Sequence, residues 1–113
     1  DYYAANKANY DLERRTQVAA DSTIGFLDAV EKYDDAYFKG HLLILVVVEE
    51  GSGSNRHLVK GIFPDQDALN ILIERQIPPV GTTDMAEWHI IIELASSDYS
   101  GQAIKTWFSV KHL

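Results

Sequence analysis

Seven consecutive apolar residues, Leu42 to Val48, ending in three valines, constrain this chain more than any other feature. β-Branched side chains are stiff at χ1 and pack well on a pleated surface. An apolar run without alternation fits a central strand covered on both faces, by a second sheet or by a helix. Seven residues are also far short of the roughly 20 that a membrane-spanning helix needs, so no membrane insertion is expected and the run is read as the core strand of a globular domain.

The segments around this strand read as short elements. Leu12, Arg14, Thr16, Val18 and Ala20 share one parity and Glu13, Arg15 and Gln17 the other, which predicts an edge strand. Before it, Tyr2, Tyr3, Ala4, Ala5, Ala8 and Tyr10 fit either a helical turn or an arm that orders only when packed. Phe26, Leu27, Val30, Tyr33 and Tyr37 recur at helical spacing behind Ser22, an N-cap residue, and Gly40 closes that helix. After the loop from Glu49 to Arg56, a strand from His57 to Phe63 turns at Pro64-Asp65-Gln66-Asp67 into an alternating strand, Leu69 to Ile77. Pro78-Pro79 ends it, because proline cannot donate to the ladder. Trp88, Ile90, Ile92 and Leu94 share the inner face of a further strand with His89 and Glu93 on its outer face, and Ala103 to Leu113 form the last. The prediction is one α+β domain over residues 1–113, mainly antiparallel and sandwich-like, with one N-terminal helix packed on it. Residues 1–11 are read as an arm and 12–113 as the globular part.

Composition removes several functions. The 113 residues contain no cysteine, which excludes disulfide scaffolds, thiol catalysis, iron–sulfur clusters and cysteine zinc sites. Ten basic against 17 acidic residues give a formal charge of -7, a sign that repels nucleic acid phosphates and anionic lipids, so no nucleic acid partner is expected. The chain opens at Asp1 without methionine or an apolar leader, which fits a longer precursor from which a signal segment was removed.

Two loops stand out as candidate contact surfaces. The first contains Gly51, Ser52, Gly53, Ser54, Asn55 and Arg56. Its glycines invite a phosphate cradle, but no lysine–threonine pair follows, the next element is a strand, and Glu49 and Glu50 oppose an anion. The second, Pro78 to Glu87, is longer than a hairpin needs and holds Val80, Thr82, Thr83, Asp84 and Met85. Met85 is either a contact residue or part of the core. His41, His57, His89 and His112 raise a metal hypothesis, yet His89 and Glu93 stand four strand positions apart, about 13 Å at about 3.3 Å per residue, and no HExxH occurs. Asp65-Gln66-Asp67 lacks later oxygen ligands for calcium, since Ala68 and Leu69 follow. No Gly-x-Ser-x-Gly elbow occurs either. No catalytic residue, metal or cofactor is expected.

The order of pieces resembles the PrcB-like family. The resemblance rests on Ser22-Thr23-Ile24-Gly25-Phe26-Leu27, Tyr33-Asp34 with Tyr37-Phe38 before the apolar strand, and Leu42 to Val48 running into Gly51-Ser52-Gly53-Ser54. It continues with Leu69 to Ile77 as a return strand and Pro79 opening the loop that leads to Trp88-His89-Ile90, and spans residues 16 to 113. Where the family carries a Gly-Gly-Tyr-like turn, this chain has no aromatic. The resemblance implies a non-catalytic accessory domain of the bacterial envelope or secreted space that holds or stabilises a protease. The loops also compare with those of chagasin-like protease inhibitors, whose Arg-Pro-Trp motif is absent here. Two readings from other classes stand beside these. One is a small-ligand or metal-assisted site using His57, His89 and Glu93, which requires their convergence. The other is a homo-oligomer formed through the first or last strand.

Overall fold

The computed structural model describes residues 1–17 and 24–113. The expected Ser22 cap and the Val18 and Ala20 positions of the first strand lie outside the described residues. Among the described residues three short α-helices, α1 (Tyr2–Asn6), α2 (Phe26–Val30) and α3 (Asp35–Phe38), accompany six strands: β1 (Thr16–Gln17), β2 (His41–Glu50), β3 (Arg56–Pro64), β4 (Ala68–Ile77), β5 (Ala86–Ala95) and β6 (Ala103–His112). The fold is α+β with mainly β content. Among the described residues no helix is long and apolar enough to cross a membrane.

The strands form two three-stranded sheets, ordered β1-β5-β2 and β3-β4-β6. β2 runs antiparallel to β5 along its whole length, from His41 opposite Ala95 to Glu50 opposite Ala86. β3 and β4 form the expected hairpin, closed by Asp65, whose carboxylate accepts from the amides of Asp67 (2.8 Å) and Ala68 (2.7 Å). Each sheet also contains a parallel pair, β1 with β5 and β4 with β6, so the sheets are mixed.

Alternation decides what lies between the sheets. Ile44, Val46 and Val48 of β2 and Ile90, Ile92 and Leu94 of β5 meet Leu69, Ile71 and Ile73 of β4. A second cluster, Leu12, Phe26, Ala29 and Ile91, with Tyr2, Tyr3, Tyr10, Leu43 and Leu45 at its margin, covers the opposite face of the first sheet. The apolar run is thus buried on its core face and partly covered on the other at Leu43 and Leu45, whereas Val47 is 42% exposed, so the expected cover of both faces is met only in part. It stands at a sheet edge, however, and β5 takes the central place. The second layer over β2 comes from α2 and the N-terminal arm, not from a further hydrogen-bonded strand.

The helical segment is divided where one helix is expected. Asp34 accepts from the Tyr37 amide at 3.0 Å and starts α3 afresh, an aspartate competing with the helix ladder for backbone donors. At Gly25, the N-cap of α2, an added Cβ would stand 2.9 Å from the Glu13 carbonyl oxygen, so glycine permits the chain to pass close to residue 13.

Candidate functional site

The pairing of Glu50 with Ala86 sets the end of β2 beside the start of β5, and the loops that leave them emerge together. They are fastened to each other. The Gly53 amide donates to the Asp84 carbonyl at 2.9 Å, and the Thr82 amide donates to Ser52 Oγ at 3.0 Å. Ser52 Oγ also lies 2.8 Å from Ser54 Oγ and 3.2 Å from Thr82 Oγ1. Arg15 reaches in from the N-terminal segment, donating to Asp84 Oδ2 at 2.6 Å and to the Met85 carbonyl at 3.0 Å. Bonds from Thr82, the Asp84 and Gly53 amides and the Arg15 charge hold the Asp84 carboxyl below its usual range.

Glycine at 53 leaves room for the Asp84 side chain as it now lies. A Cβ there would collide with the Asp84 carboxylate and stand 3.2 Å from the Arg15 guanidinium. Arg56 fixes the return of the first loop by donating to the carbonyls of Gly53 (2.8 Å) and Asn55 (3.0 Å). Its guanidinium also stacks on buried Trp88, 4.7 Å from the ring centre. Above this base Val80 (84%) and Met85 (66%) are largely exposed. Met85 is therefore not part of the core. Gly51, Thr83 and Asp84 are exposed as well, while Asn55 is buried.

Beneath the loops lies a polar cluster that the sequence reading missed. Arg75 grips Glu50 with two bonds, Nε to Oε2 at 2.9 Å and Nη2 to Oε1 at 2.6 Å. Asn55 Nδ2 donates to Glu50 Oε1 at 3.1 Å, and His57 Nε2 lies 2.7 Å from Oε2. On its other side His57 Nδ1 lies 2.8 Å from Gln17 Oε1, an oxygen that also accepts the His57 amide at 3.1 Å. Burial works to raise the Glu50 carboxyl, but the bonds from Arg75, His57 and Asn55 outweigh it and hold it down at about 2. Burial likewise pushes the His57 ring down, against the upward pull of the Glu50 carboxylate. A signal for this cluster existed. Glu50 shares parity with Ile44, Val46 and Val48, Arg75 with Leu69, Ile71 and Ile73, and His57 with Val59, so all three are charged or titratable groups at inward positions.

His57, His89 and Glu93 do not converge. His57 lies between the sheets, whereas His89 is buried under the N-terminal arm with Nε2 2.6 Å from the Tyr2 hydroxyl. Glu93 is exposed, accepting from the Tyr33 hydroxyl at 2.7 Å and lying 3.3 Å from Lys32 Nζ. Among the described residues no three His, Asp or Glu side chains gather as a metal site. No family model matches the chain, and no curated protein or solved structure matches it.

Proposed function

We propose that this chain is a non-catalytic module that binds a protein through its paired loops. One observation carries the reading: residues 51–55 and 78–85 leave the same end of the sandwich and are bonded to each other through Gly53–Asp84 and Ser52–Thr82. Loops held on a rigid scaffold are common sites of recognition. A loop pair ordered before contact also loses less conformational entropy on binding. Val80 and Met85 supply the apolar anchors, and methionine adapts to an irregular partner surface. The resemblance to the PrcB-like family makes the partner a protease of the bacterial envelope or secreted space, with this chain as its accessory domain.

The test compares immobilised wild-type protein with the Val80→Asp, Met85→Asp double variant as baits for envelope and secreted fractions. Both side chains are exposed, so the double variant is expected to keep its fold by circular dichroism. A protease retained by the wild type and lost from the variant supports the reading, and an identical set of captured proteins from both ends it. Assaying the captured protease with and without the domain separates docking, which leaves turnover unchanged, from chagasin-like inhibition, which lowers it.

A further inference from the structure

Alternation along β5 puts His89 on the face opposite Trp88, Ile90 and Ile92, where the polar side chains of a half-covered sheet meet water. His89 is instead fully buried. The N-terminal arm covers it. Tyr2 and Tyr10 stand edge-on to its ring, 5.6 and 4.9 Å between centroids, and Phe26 of α2 stands at 6.1 Å. The Tyr2 hydroxyl lies 2.6 Å from Nε2, and Nδ1 has no hydrogen-bond partner. A neutral imidazole suits such a site. An imidazolium would bring a charge and two N–H donors to a place with one acceptor.

No counter-ion stands against that charge. Thr16 of β1 and Val47 of β2 flank His89 in register, one a hydroxyl and the other a hydrocarbon. Glu87 of β5 and Glu49 of β2 share its face two positions along, about 7 Å off at about 3.3 Å per residue, and neither is bonded to the ring. On the arm Asp1 caps the Ala4 amide, Asp11 holds Arg14, Glu13 accepts from Tyr3, and Lys7 is exposed. Arg15 is turned to Asp84, and Asp28 and Glu31 of the α2 segment are exposed. Burial accordingly pushes the ring below 6.5.

The arm is the part that can yield. β5 is paired with β2 along its whole length, whereas α1 is a single turn, too short to persist by itself. We propose that the arm is an acid-released latch, lying over His89 while the imidazole is neutral and leaving it when the ring takes a proton. Release bares Phe26, which is 5% exposed with Tyr2 packed on it. The core between the sheets is built from other residues and stays closed. Acid would thus turn a covered apolar face into an open one without unfolding the domain.

NMR of the full chain, following backbone amides and the His89 ring from about pH 7.5 to about 5, tests the latch. The signals of residues 2–10 are expected to move to released positions in step with the ring, while those of β4 keep their dispersion. The ratio of docked to released arm should fall by up to about tenfold per pH unit below 6.5. His89→Gln, verified as folded by circular dichroism, is expected to keep the arm docked across that range. Val47→Glu alters a 42% exposed position and sets a carboxylate across the ladder from the ring. Its attraction for the imidazolium is stronger under the arm than in water, so release is expected about one pH unit lower. An arm that stays docked while the ring titrates, a β4 that loosens together with the arm, or release at the wild-type pH in either variant would each overturn the proposal.

Discussion

Glu50 shows how one residue can tie a loop to a core. Its carboxylate is fully buried, and it accepts from Arg75, His57 and Asn55, residues of β4, β3 and the loop itself. Breaking a buried ion pair leaves an uncompensated charge behind, so Glu50→Gln is expected to cost about 3 kcal/mol or more, read from urea unfolding. The pH dependence has a definite sign. The folded carboxyl sits at about 2 against 4.5 when free, so its stabilisation is complete above 4.5 and is lost as pH falls toward 2. Unfolding curves of the wild type should slope through that window, and those of Glu50→Gln should be flatter. Gly53→Ala is expected to turn the exposed Asp84 carboxylate away from Arg15, costing about 1 kcal/mol or less and increasing amide exchange at residues 51–55 and 82–85. Sequence reading named Gly53 and Asp84 as contact residues separately. Their mutual bond was not legible, because it joins positions far apart in the chain.

At the scale of elements, the N-terminal arm is the piece whose state depends most on one contact. α1 is a single turn begun by Asp1, which accepts from the Ala4 amide at 3.1 Å, and Tyr2 packs against Phe26 and His89 with centroids 5.4 and 5.6 Å apart. Helices this short have little stability of their own. Around His89 stand Tyr2, Tyr10 and Phe26, with no carboxylate among these ring contacts, and burial pushes the imidazole below 6.5. A depressed histidine means that His89 takes up a proton more readily once the arm has left it, so docking is stable above 6.5 and weakens as pH falls below it. Protection against hydrogen exchange across residues 2–10, measured relative to the intrinsic rate at each pH, should fall on acidification from neutral pH. His89→Gln, which retains an acceptor for the Tyr2 hydroxyl, should remove most of that dependence. The helical periodicity of residues 26–37 was legible, but the break was not, because Asp34 capping the Tyr37 amide outweighs the periodic pattern locally.

Across the whole molecule, the formal charge of -7 bears on association, not on fold. Two copies of one sign repel at long range and salt screens that repulsion, so any self-association of the chain should strengthen as ionic strength rises, which sedimentation at low and high salt checks. Alternation and turn chemistry are local properties, and they suffice for the β-rich α+β class, the turn at Asp65, the stop at Pro78-Pro79 and the inward parity of β2, β4 and β5. Tertiary structure alone decided that β5 and not β2 is central, that β1 and β6 enter as parallel neighbours, that the two candidate loops are bonded together, and that Glu50, His57 and Arg75 meet. The physical reason is that a strand's side chains state which face is buried, whereas its backbone donors and acceptors are the same in every strand. Which edge meets which neighbour is settled only when distant segments close one core.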